Sequence, residues 1–318
     1  MSLAVVLIGR NEGARLEASL ASLEGRRVVY VDSGSTDGSV AAARDAGAEV
    51  VLLDPATPFT AARARHEGFQ ALGEEPPEVV QFIDGDCTVV PGWIEAGLSA
   101  LQDDPSLGLV TGWRSEIAPE ASVYNALCDH EWHRPAGEIT ACGGDMMVRS
   151  AAYIEARGFD AQVIAAEDDE FCQRLRKAGW SLRRLPLPMT RHDAAMTRFG
   201  QWWRRALRSG HGFAQVGDLH ARYFARERAR VWLYGLGLPV LALAGLVFWG
   251  PLLALVLAAY LLSYLKTVQG LRGEGMATGT ALHHGVFLTL SKFPNLIGML
   301  TYHWRKWRGA AMRIIEYK

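Results

Sequence analysis

Apolar positions along this chain fall into two rhythms. Through residue 110, short apolar runs alternate with segments whose apolar residues recur at helical spacing. The runs Leu3–Ile8, Val28–Val31, Glu49–Leu53 and Val79–Ile83 read as strands. Between them, Asn11–Leu23 reads as a helix on the spacing of Leu16, Leu20 and Leu23. The polar turn Ser33-Gly34-Ser35-Thr36 is suited to cap a second helix running to Ala46, and Ala61–Leu72 reads as a third. Such alternation predicts right-handed βαβ units and a parallel sheet covered on both faces. The stretch 107–190 is mixed. Leu107–Gly112 is strand-like, Tyr124–Trp132 helical, and Cys142-Gly143-Gly144-Asp145 a turn leading into Met146–Val148. Glu167–Ala178 carries Phe171, Leu175 and Ala178 on one helical face, with Gly179 in the usual terminating position.

The second rhythm is continuous apolarity. Val231–Gly250 and Leu252–Val268 carry a single ionised group, Lys266. Each is close to the ~20 residues that cross a bilayer. Trp232, Tyr234, Trp249 and Tyr264 stand near their ends, favouring membrane spans over a buried hairpin. Gly250-Pro251 makes the connection a tight hairpin. A third stretch, Ala281–Trp304, holds His283, His284, Lys292 and Pro294 and runs into Arg305-Lys306-Trp307-Arg308. A third crossing would put this basic tail outside. The expectation is therefore two spans plus an interfacial or re-entrant helix pair broken at Lys292-Phe293-Pro294. The predicted organisation is a catalytic domain over 1–215 and a membrane-associated helical region over 216–318, with transmembrane helices at 231–250 and 252–270 and the further helix at 281–304.

The chain has 318 residues and a net charge of −1, so no global charge draws it to nucleic acid. Between Arg191 and Arg230, however, the carboxylates Asp193, Asp218 and Glu227 are heavily outnumbered by arginine, a basic belt suited to an anionic membrane surface. Cys87, Cys128, Cys142 and Cys172 form no C-x-x-C pair and fit no zinc spacing, so reduced thiols in a cytoplasmic domain are expected. The chain opens on a strand-like run without a basic leader, and no signal peptide is expected.

Candidate chemistry gathers after the strands, where ligands bind in open α/β sheets. Arg10-Asn11-Glu12 follows the first strand, Asp32-Ser33 the second, and Asp84-Gly85-Asp86 the fourth. Two carboxylates one small residue apart make a hard oxygen site for a divalent cation, which in turn would hold a phosphate-bearing substrate. Gly85 allows close approach of the backbone to a ligand. Gly9-Arg10-Asn11-Glu12-Gly13 lacks the G-x-G-x-x-G spacing of a dinucleotide oxidoreductase.

Taken in order, Asn11-Glu12, VDSGSTDGS (31–39), ARHEG (64–68), DGDCTVVPGW (84–93), GGDMMVRS (143–150) and AEDDEFCQRLRKAGW (166–180) resemble a family 2 glycosyltransferase with a GT-A fold over residues 3–215. The resemblance implies inverting transfer from a nucleotide-diphosphate sugar, such as a UDP- or GDP-sugar, with Mg²⁺ or Mn²⁺. It implies that Asp86 holds the cation, that Asp84 faces the ribose or sugar and shares the metal site, and that Asn11, Glu12, Asp32, Ser33, Arg65 and Gly85 serve the nucleotide side. Arg65 would pair with base or diphosphate. Asp168 would be the general base, with Glu167 and Asp169 as alternatives. Gly144 and Asp145 would line the donor-sugar and acceptor pocket, and His192 is a candidate further metal ligand. Gln201-Trp202-Trp203-Arg204-Arg205 partly matches the Q-x-x-R-W motif of polysaccharide-making relatives. It gives Gln201 and Trp202 as acceptor candidates and Arg204 and Arg205 as a phosphate clamp. The expected acceptor is a lipid-linked or envelope glycan at the cytoplasmic face of the inner membrane. A polyprenyl-phosphate sugar synthase and a catalytically silent scaffold of the same fold are the alternatives.

Overall fold

The computed structural model describes residues 1–316, so the last two residues of the expected C-terminal region lie outside it. The chain divides into two units. One comprises Met1–Ala121, Cys128–Ala195 and Met312–Ile314; the other comprises Ser122–Leu127, Met196–Ala311 and the terminus. The division falls earlier than residue 215, because the helix after Arg198 packs with the C-terminal helices.

In the first unit, β1 (Leu3–Gly9), α1 (Ala14–Ala21), β2 (Val28–Asp32), α2 (Ser39–Asp45), β3 (Glu49–Leu52), α3 (Ala61–Gln70) and β4 (Val79–Asp84) alternate as the apolar rhythm predicts. There follow β5 (Cys87–Val89), α4 (Trp93–Asp103), β6 (Leu107–Glu116), α5 (Val123–Trp132), β7 (Gly137–Glu138), β8 (Met146–Arg149), α6 (Ser150–Glu155), α7 (Glu167–Lys177) and β9 (Ser181–His192). The sheet runs β3-β2-β1-β4-β8-β6-β9-β5, with β7 on β9. Strands β1 to β4 pair in parallel, whereas β8 is antiparallel to both β4 and β6. The sheet is thus parallel on one side and mixed on the other, the architecture expected for the fold.

Both faces are covered. Along β1, Ala4, Val6 and Ile8 enter one core with residues of α3, α6 and α7, while Val5 and Leu7 enter the other with Leu16, Leu20, Trp93 and Leu101. A strand buried on both faces needs a continuous apolar run, and β1 and β4 have one. The polar exception in β4, Gln81, is fully buried and satisfied: its Oε1 accepts the Trp93 indole N–H at 2.9 Å.

Three strands lay outside the apolar reading. Strand β9 contains Pro186 and Pro188, which lack the N–H of a ladder residue. Its pairing with β6 shifts register between Thr111 and Trp113 and again at Arg114. At Gly112 a Cβ would lie 2.7 Å from the Leu187 carbonyl, so the residue without a side chain lets the proline segment approach. Strands β5 and β7 are only three and two residues long, too short for a periodic signal.

The second unit is helical: α8 (Phe199–Leu219), α9 (Ala225–Val231), a π-helical turn Trp232–Gly237, α10 (Leu238–Phe248), α11 (Gly250–Gly273), α12 (Thr278–Leu290) and α13 (Lys292–Trp307). Helix α8 lies directly against α13 because both contribute glycine at the crossing. A Cβ on Gly210 would overlap the Asn295 backbone, and one on Gly298 the Leu207 carbonyl. The segments Ala225–Phe248 and Gly250–Gly273 are each 24 residues and apolar enough to span a bilayer. They are joined at Trp249 into a hairpin. Its apolar side chains face outward, with Leu243, Leu246 and Leu262 between 64% and 69% exposed, unlike those of a core helix. Apart from Lys266 within the second helix, the charges sit at its base, in Arg226, Glu227, Arg228 and Arg230 on one side and Arg272 and Glu274 on the other. Helix α13 buries Met299 and Tyr302 but exposes Ile297, Leu300, Trp304 and Trp307, an outer apolar stripe at helical spacing.

Candidate functional site

The sheet brings the carboxyl ends of its strands to one level. Gly9 of β1 is registered with Asp32 of β2, and Ile8 with Asp84 of β4. On the other side, His192 of β9 is registered with both Cys87 of β5 and Glu116 of β6. Residues far apart in sequence therefore form one edge.

The loops after β1 and β2 are knitted to each other. Asn11, at φ 56°, donates its backbone N–H to Ser35 Oγ at 2.9 Å and accepts from the Thr36 N–H on its Oδ1 at 2.7 Å. The Glu12 N–H reaches Ser39 Oγ at 3.2 Å. Asp32 is buried; its Oδ2 accepts the N–H groups of Gly34 and Ser35 at 2.9 and 2.8 Å, and its Oδ1 the Tyr30 hydroxyl at 3.1 Å. Asp32 therefore shapes the turn that begins at Ser33.

Arg65 is set in place by α3. A Cβ at Gly68 would run into Val6 and Val31, so glycine lets α3 lie on the sheet. One turn earlier, Arg65 enters the edge with its side chain only 2% exposed. Its Nη2 lies 2.6 Å from Asp84 Oδ1 and its Nη1 2.9 Å from Glu167 Oε1. Gly144 makes room for it, since a Cβ there would overlap the guanidinium. Expected at the base or diphosphate, Arg65 is instead enclosed by protein carboxylates. Burial opposes its charge, but Asp84, Glu167 and Asp168 outweigh that and hold its pKa above the ordinary arginine value.

A second arginine, Arg114, was missed in the sequence. Its Nη2 lies 3.1 Å from Asp84 Oδ2 and 2.8 Å from Asp145 Oδ1. Asp145, expected to line the acceptor pocket, is 1% exposed and sits under Asp84. It accepts the Asp84 N–H at 3.0 Å and the Thr190 hydroxyl at 2.7 Å. Burial alone would raise the Asp84 carboxyl, but Arg65 and Arg114 hold it well below the usual carboxylate range. Arg114 and Glu116 lie two residues apart on β6 and so share a face of the strand. Reading β6 past Gly112 is the signal that would have found them.

Two groups of side chains place ligand atoms within 4.8 Å of one another: Asp86, Cys87 and His192, and Asp84, Cys87 and Asp145. The second group already encloses the Arg114 guanidinium. Asp84, expected as a metal ligand, has both oxygens on arginine. The first group fits a divalent cation better. Asp86 Oδ2 lies 3.3 Å from His192 Nε2, and burial lowers the His192 pKa against the opposing pull of Glu116, which favours the neutral ring. Carboxylate plus neutral imidazole suits Mn²⁺ and admits Mg²⁺. Burial pushes the Cys87 thiol well up, which keeps it protonated and makes it a poor ligand for such cations.

Helix α7 carries the other acidic group. Its N-cap, Ala166, stands at φ 55°, in the left-handed region that favours glycine. Glu167 is buried on Arg65, whereas Asp168 is half-buried beside it. Burial raises the Asp168 carboxyl well above its usual range, and Glu167 and Asp169 raise it further. The remaining candidates lie on α8 in the second unit. Gln201 Oε1 accepts the N–H groups of Thr197 and Arg198, each at 3.0 Å, and so caps its own helix. Trp202, an acceptor candidate, is buried, with ring contacts to Tyr124 and Phe287. Arg204 is exposed and Arg205 half-buried.

Residues 4–152 match the model of glycosyl transferase family 2. The "Pre-mycofactocin glycosyltransferase" of Mycobacterium tuberculosis (strain CDC 1551 / Oshkosh) is 29% identical over 232 residues, covering 68% of this chain and 47% of the relative. The same protein of strain ATCC 25618 / H37Rv matches equally. This chain thus spans about half the length of the curated relatives it matches. Among solved structures, the mannosyltransferase PcManGT from Pyrobaculum calidifontis in complex with GDP-Man and Mn²⁺ aligns with TM-score 0.59 at 18% identity, over 96% of this chain and 87% of that one. S. aureus TarS 1-349 in complex with UDP-GlcNAc aligns with TM-score 0.53 at 15% identity, over 98% and 93%. At these identities the structural likeness shows a shared fold.

Two stability predictions follow from the charges. Arg65→Ala leaves Glu167 and Asp84 uncompensated and should cost about 3–5 kcal/mol, the usual loss when one partner of a buried pair is removed. Gly144→Ala should destabilise the same way by displacing the guanidinium. Both are read by thermal unfolding in detergent, and unchanged melting would refute the role given to Arg65. Asp168 behaves oppositely. Its pKa in the folded state lies above the unfolded value, so ionising it opposes folding and stability is lost as pH rises through the folded pKa. Asp168→Asn should therefore melt higher than wild type at neutral pH, and the gain should shrink as pH falls through the folded pKa and vanish below the ordinary carboxylate range of the unfolded chain.

Proposed function

We propose that this chain, whose residues 4–152 match glycosyl transferase family 2, carries out an inverting, metal-dependent transfer of a sugar from a nucleotide-diphosphate sugar to a lipid-linked or cell-envelope glycan acceptor at the cytoplasmic face of the inner membrane. The observation that carries this reading is the single edge on which Arg65 touches both Asp84 and the helix turn bearing Asp168. Asp86 and His192, the candidate cation ligands, stand on the same sheet edge.

The chemistry needs two opposite services. As the bond from the anomeric carbon to the diphosphate oxygen breaks, negative charge grows on the leaving group. Asp86 and His192 would hold Mg²⁺ or Mn²⁺, which when bound supplies the compensating positive charge. Asp168 would take the proton of the acceptor hydroxyl as its oxygen bonds to the anomeric carbon on the opposite face. A carboxylate with a raised pKa is a stronger base than a solvated one, and Asp168, unlike Glu167, is only partly buried. Arg65 and Arg114 keep Asp84 ionised for the donor side. Asn11, Glu12, Asp32 and Ser33 form the loop floor expected under the nucleotide, with Asp32 acting by fixing the turn. The choice of a UDP- or GDP-sugar belongs to this loop.

The membrane reading rests on the second unit alone. The outward apolar faces of the hairpin, its charged base and its Trp249 tip favour two crossings with both ends on one side. The outer stripe of α13, followed by Arg305, Lys306 and Arg308, favours a helix lying in the interface over a third crossing. A lipid-linked acceptor follows from that anchoring.

Asp168→Asn should bind donor sugar nucleotide with Mn²⁺ as wild type does, while transfer falls by roughly 10²–10⁴-fold, the range for loss of a general base. Isothermal titration alongside a radiolabelled transfer assay checks this; loss of donor binding would move Asp168 to the donor site. For topology, a cysteine at Trp249 should react with a membrane-impermeant maleimide from outside intact cells, and one at Gly275 only after permeabilisation. Labelling of Gly275 from outside would overturn the two-span reading.

A further inference from the structure

Within the cation site proposed above, on whose reading this step rests, we infer that Glu116 is the positioning residue of His192: by accepting its Nδ1–H it turns the Nε2 lone pair toward Asp86. The imidazole lies between two carboxylates. Glu116 Oε2 is 3.5 Å from Nδ1 and Asp86 Oδ2 is 3.3 Å from Nε2. The Glu116 side chain is fully buried, and its Oε2 also accepts the Ala194 N–H at 2.9 Å. The carboxylate is thereby anchored to the segment that follows His192. The ring plane is fixed from the side, because Trp132 meets it edge-on at 4.6 Å and carries Arg114 over its own face at 5.4 Å.

A cation can be held only by the neutral imidazole, which has one N–H for these two acceptors. Whichever nitrogen lacks the proton directs its lone pair at a carboxylate oxygen, an unfavourable contact unless a positive centre lies between them. With the proton on Nδ1, that contact falls between Nε2 and Asp86, both of which belong to the candidate ligand group whose atoms lie within 4.8 Å of one another. With the proton on Nε2, it falls between Nδ1 and Glu116, where the Ala194 N–H already occupies the same oxygen. The first arrangement turns the conflict into a binding site. It is also the carboxylate–histidine–metal geometry in which an outer carboxylate fixes the tautomer and strengthens the ligand. The register of β6 on β9 builds it, since Glu116 and His192 are directly paired.

The test uses the full chain in detergent, labelled with ¹⁵N-histidine and free of metal, at a pH where the ring is neutral. Two-bond ¹H–¹⁵N spectra report which nitrogen carries the proton, and His192→Gln identifies the signal. Wild type and Glu116→Gln, which keeps an acceptor oxygen, should show Nδ1–H; Glu116→Ala should move the proton to Nε2. Mn²⁺ binding followed by electron paramagnetic resonance should weaken roughly 10–100-fold in Glu116→Ala, the usual loss for an outer-shell partner, and less in Glu116→Gln. An Nε2–H tautomer in the wild type, or a Glu116→Ala variant with unchanged tautomer, overturns the inference. If the tautomer behaves as expected but wild type and Asp86→Asn both fail to bind Mn²⁺, the positioning role stands and the metal-dependent reading fails. Where Glu116→Ala does not fold, the Gln variant decides, since Nδ1–H retained with weakened Mn²⁺ binding is the expected result and an Nε2–H signal the contrary one.

Discussion

One buried guanidinium makes this sheet edge possible. Asp84, Asp145, Glu167 and Asp168 converge in a space largely closed to water, where like charges repel strongly. Arg65 binds Asp84 and Glu167 together, and Arg114 does the same for Asp84 and Asp145. Two short sequence patterns become intelligible through Arg65. In Ala64-Arg65-His66-Glu67-Gly68, the glycine lets α3 approach β1 and β2 so that the arginine reaches inward. In Cys142-Gly143-Gly144-Asp145, Gly144 leaves the space that the guanidinium fills. The glycines and the arginine are parts of one construction, although they lie on separate segments.

The same construction separates ion-paired carboxylates from those left for chemistry. Because Arg114 lies between Asp84 and Asp145, that pair already has its cation. Asp86 points elsewhere, toward His192, and is the carboxylate left to face an imidazole. The acidic dyad of the fourth strand thus divides, with Asp84 tied into the protein and Asp86 turned to the candidate cation site. Alternation explains the division, since residues two apart in a strand share a face only while the strand stays regular, and β4 ends at Asp84.

Much of the parallel half of the fold was legible in the sequence, because β1, β2 and β4 are buried on both faces and are mostly apolar, Gln81 being satisfied by Trp93. The helices around them follow from spacing. What was not legible depended on long-range pairing. Strand β9 is masked by Pro186 and Pro188 and is held by a shifted register that only β6 and Gly112 explain. Arg114, Glu116 and Thr190 matter because of that register: extending β6 past Gly112 puts Arg114 and Glu116 on one face, but their partners across the sheet have no local signal. The position of Arg65 was legible as a motif, but its partners were not, since a motif does not say whether an arginine meets a substrate or a carboxylate. Trp202 shows the converse. An aromatic beside arginines reads as a recognition surface, yet it packs with Tyr124 and Phe287, both distant in sequence.

The distribution of positive charge over the edge finally sets the two acidic centres apart. Both Asp84 and Asp168 are pushed upward by burial, and both feel Arg65. At Asp84 two guanidinium groups make direct contact and win, so it stays ionised far below neutral pH. At Asp168 the direct contact of Arg65 goes to Glu167 instead, and the adjoining carboxylates add to burial. The outcome is one carboxylate held as a permanent anion and another whose proton affinity is raised, on elements joined by a single side chain. Environments that push two carboxylates in opposite directions are how one site supports both charge stabilisation and proton transfer. The left-handed backbone at Ala166 belongs to the same balance, since it starts α7 so that Glu167 meets Arg65 while Asp168 does not. Local strain and a crowded carboxylate, each unfavourable for folding, coincide at the one place where the proposed reaction requires a base.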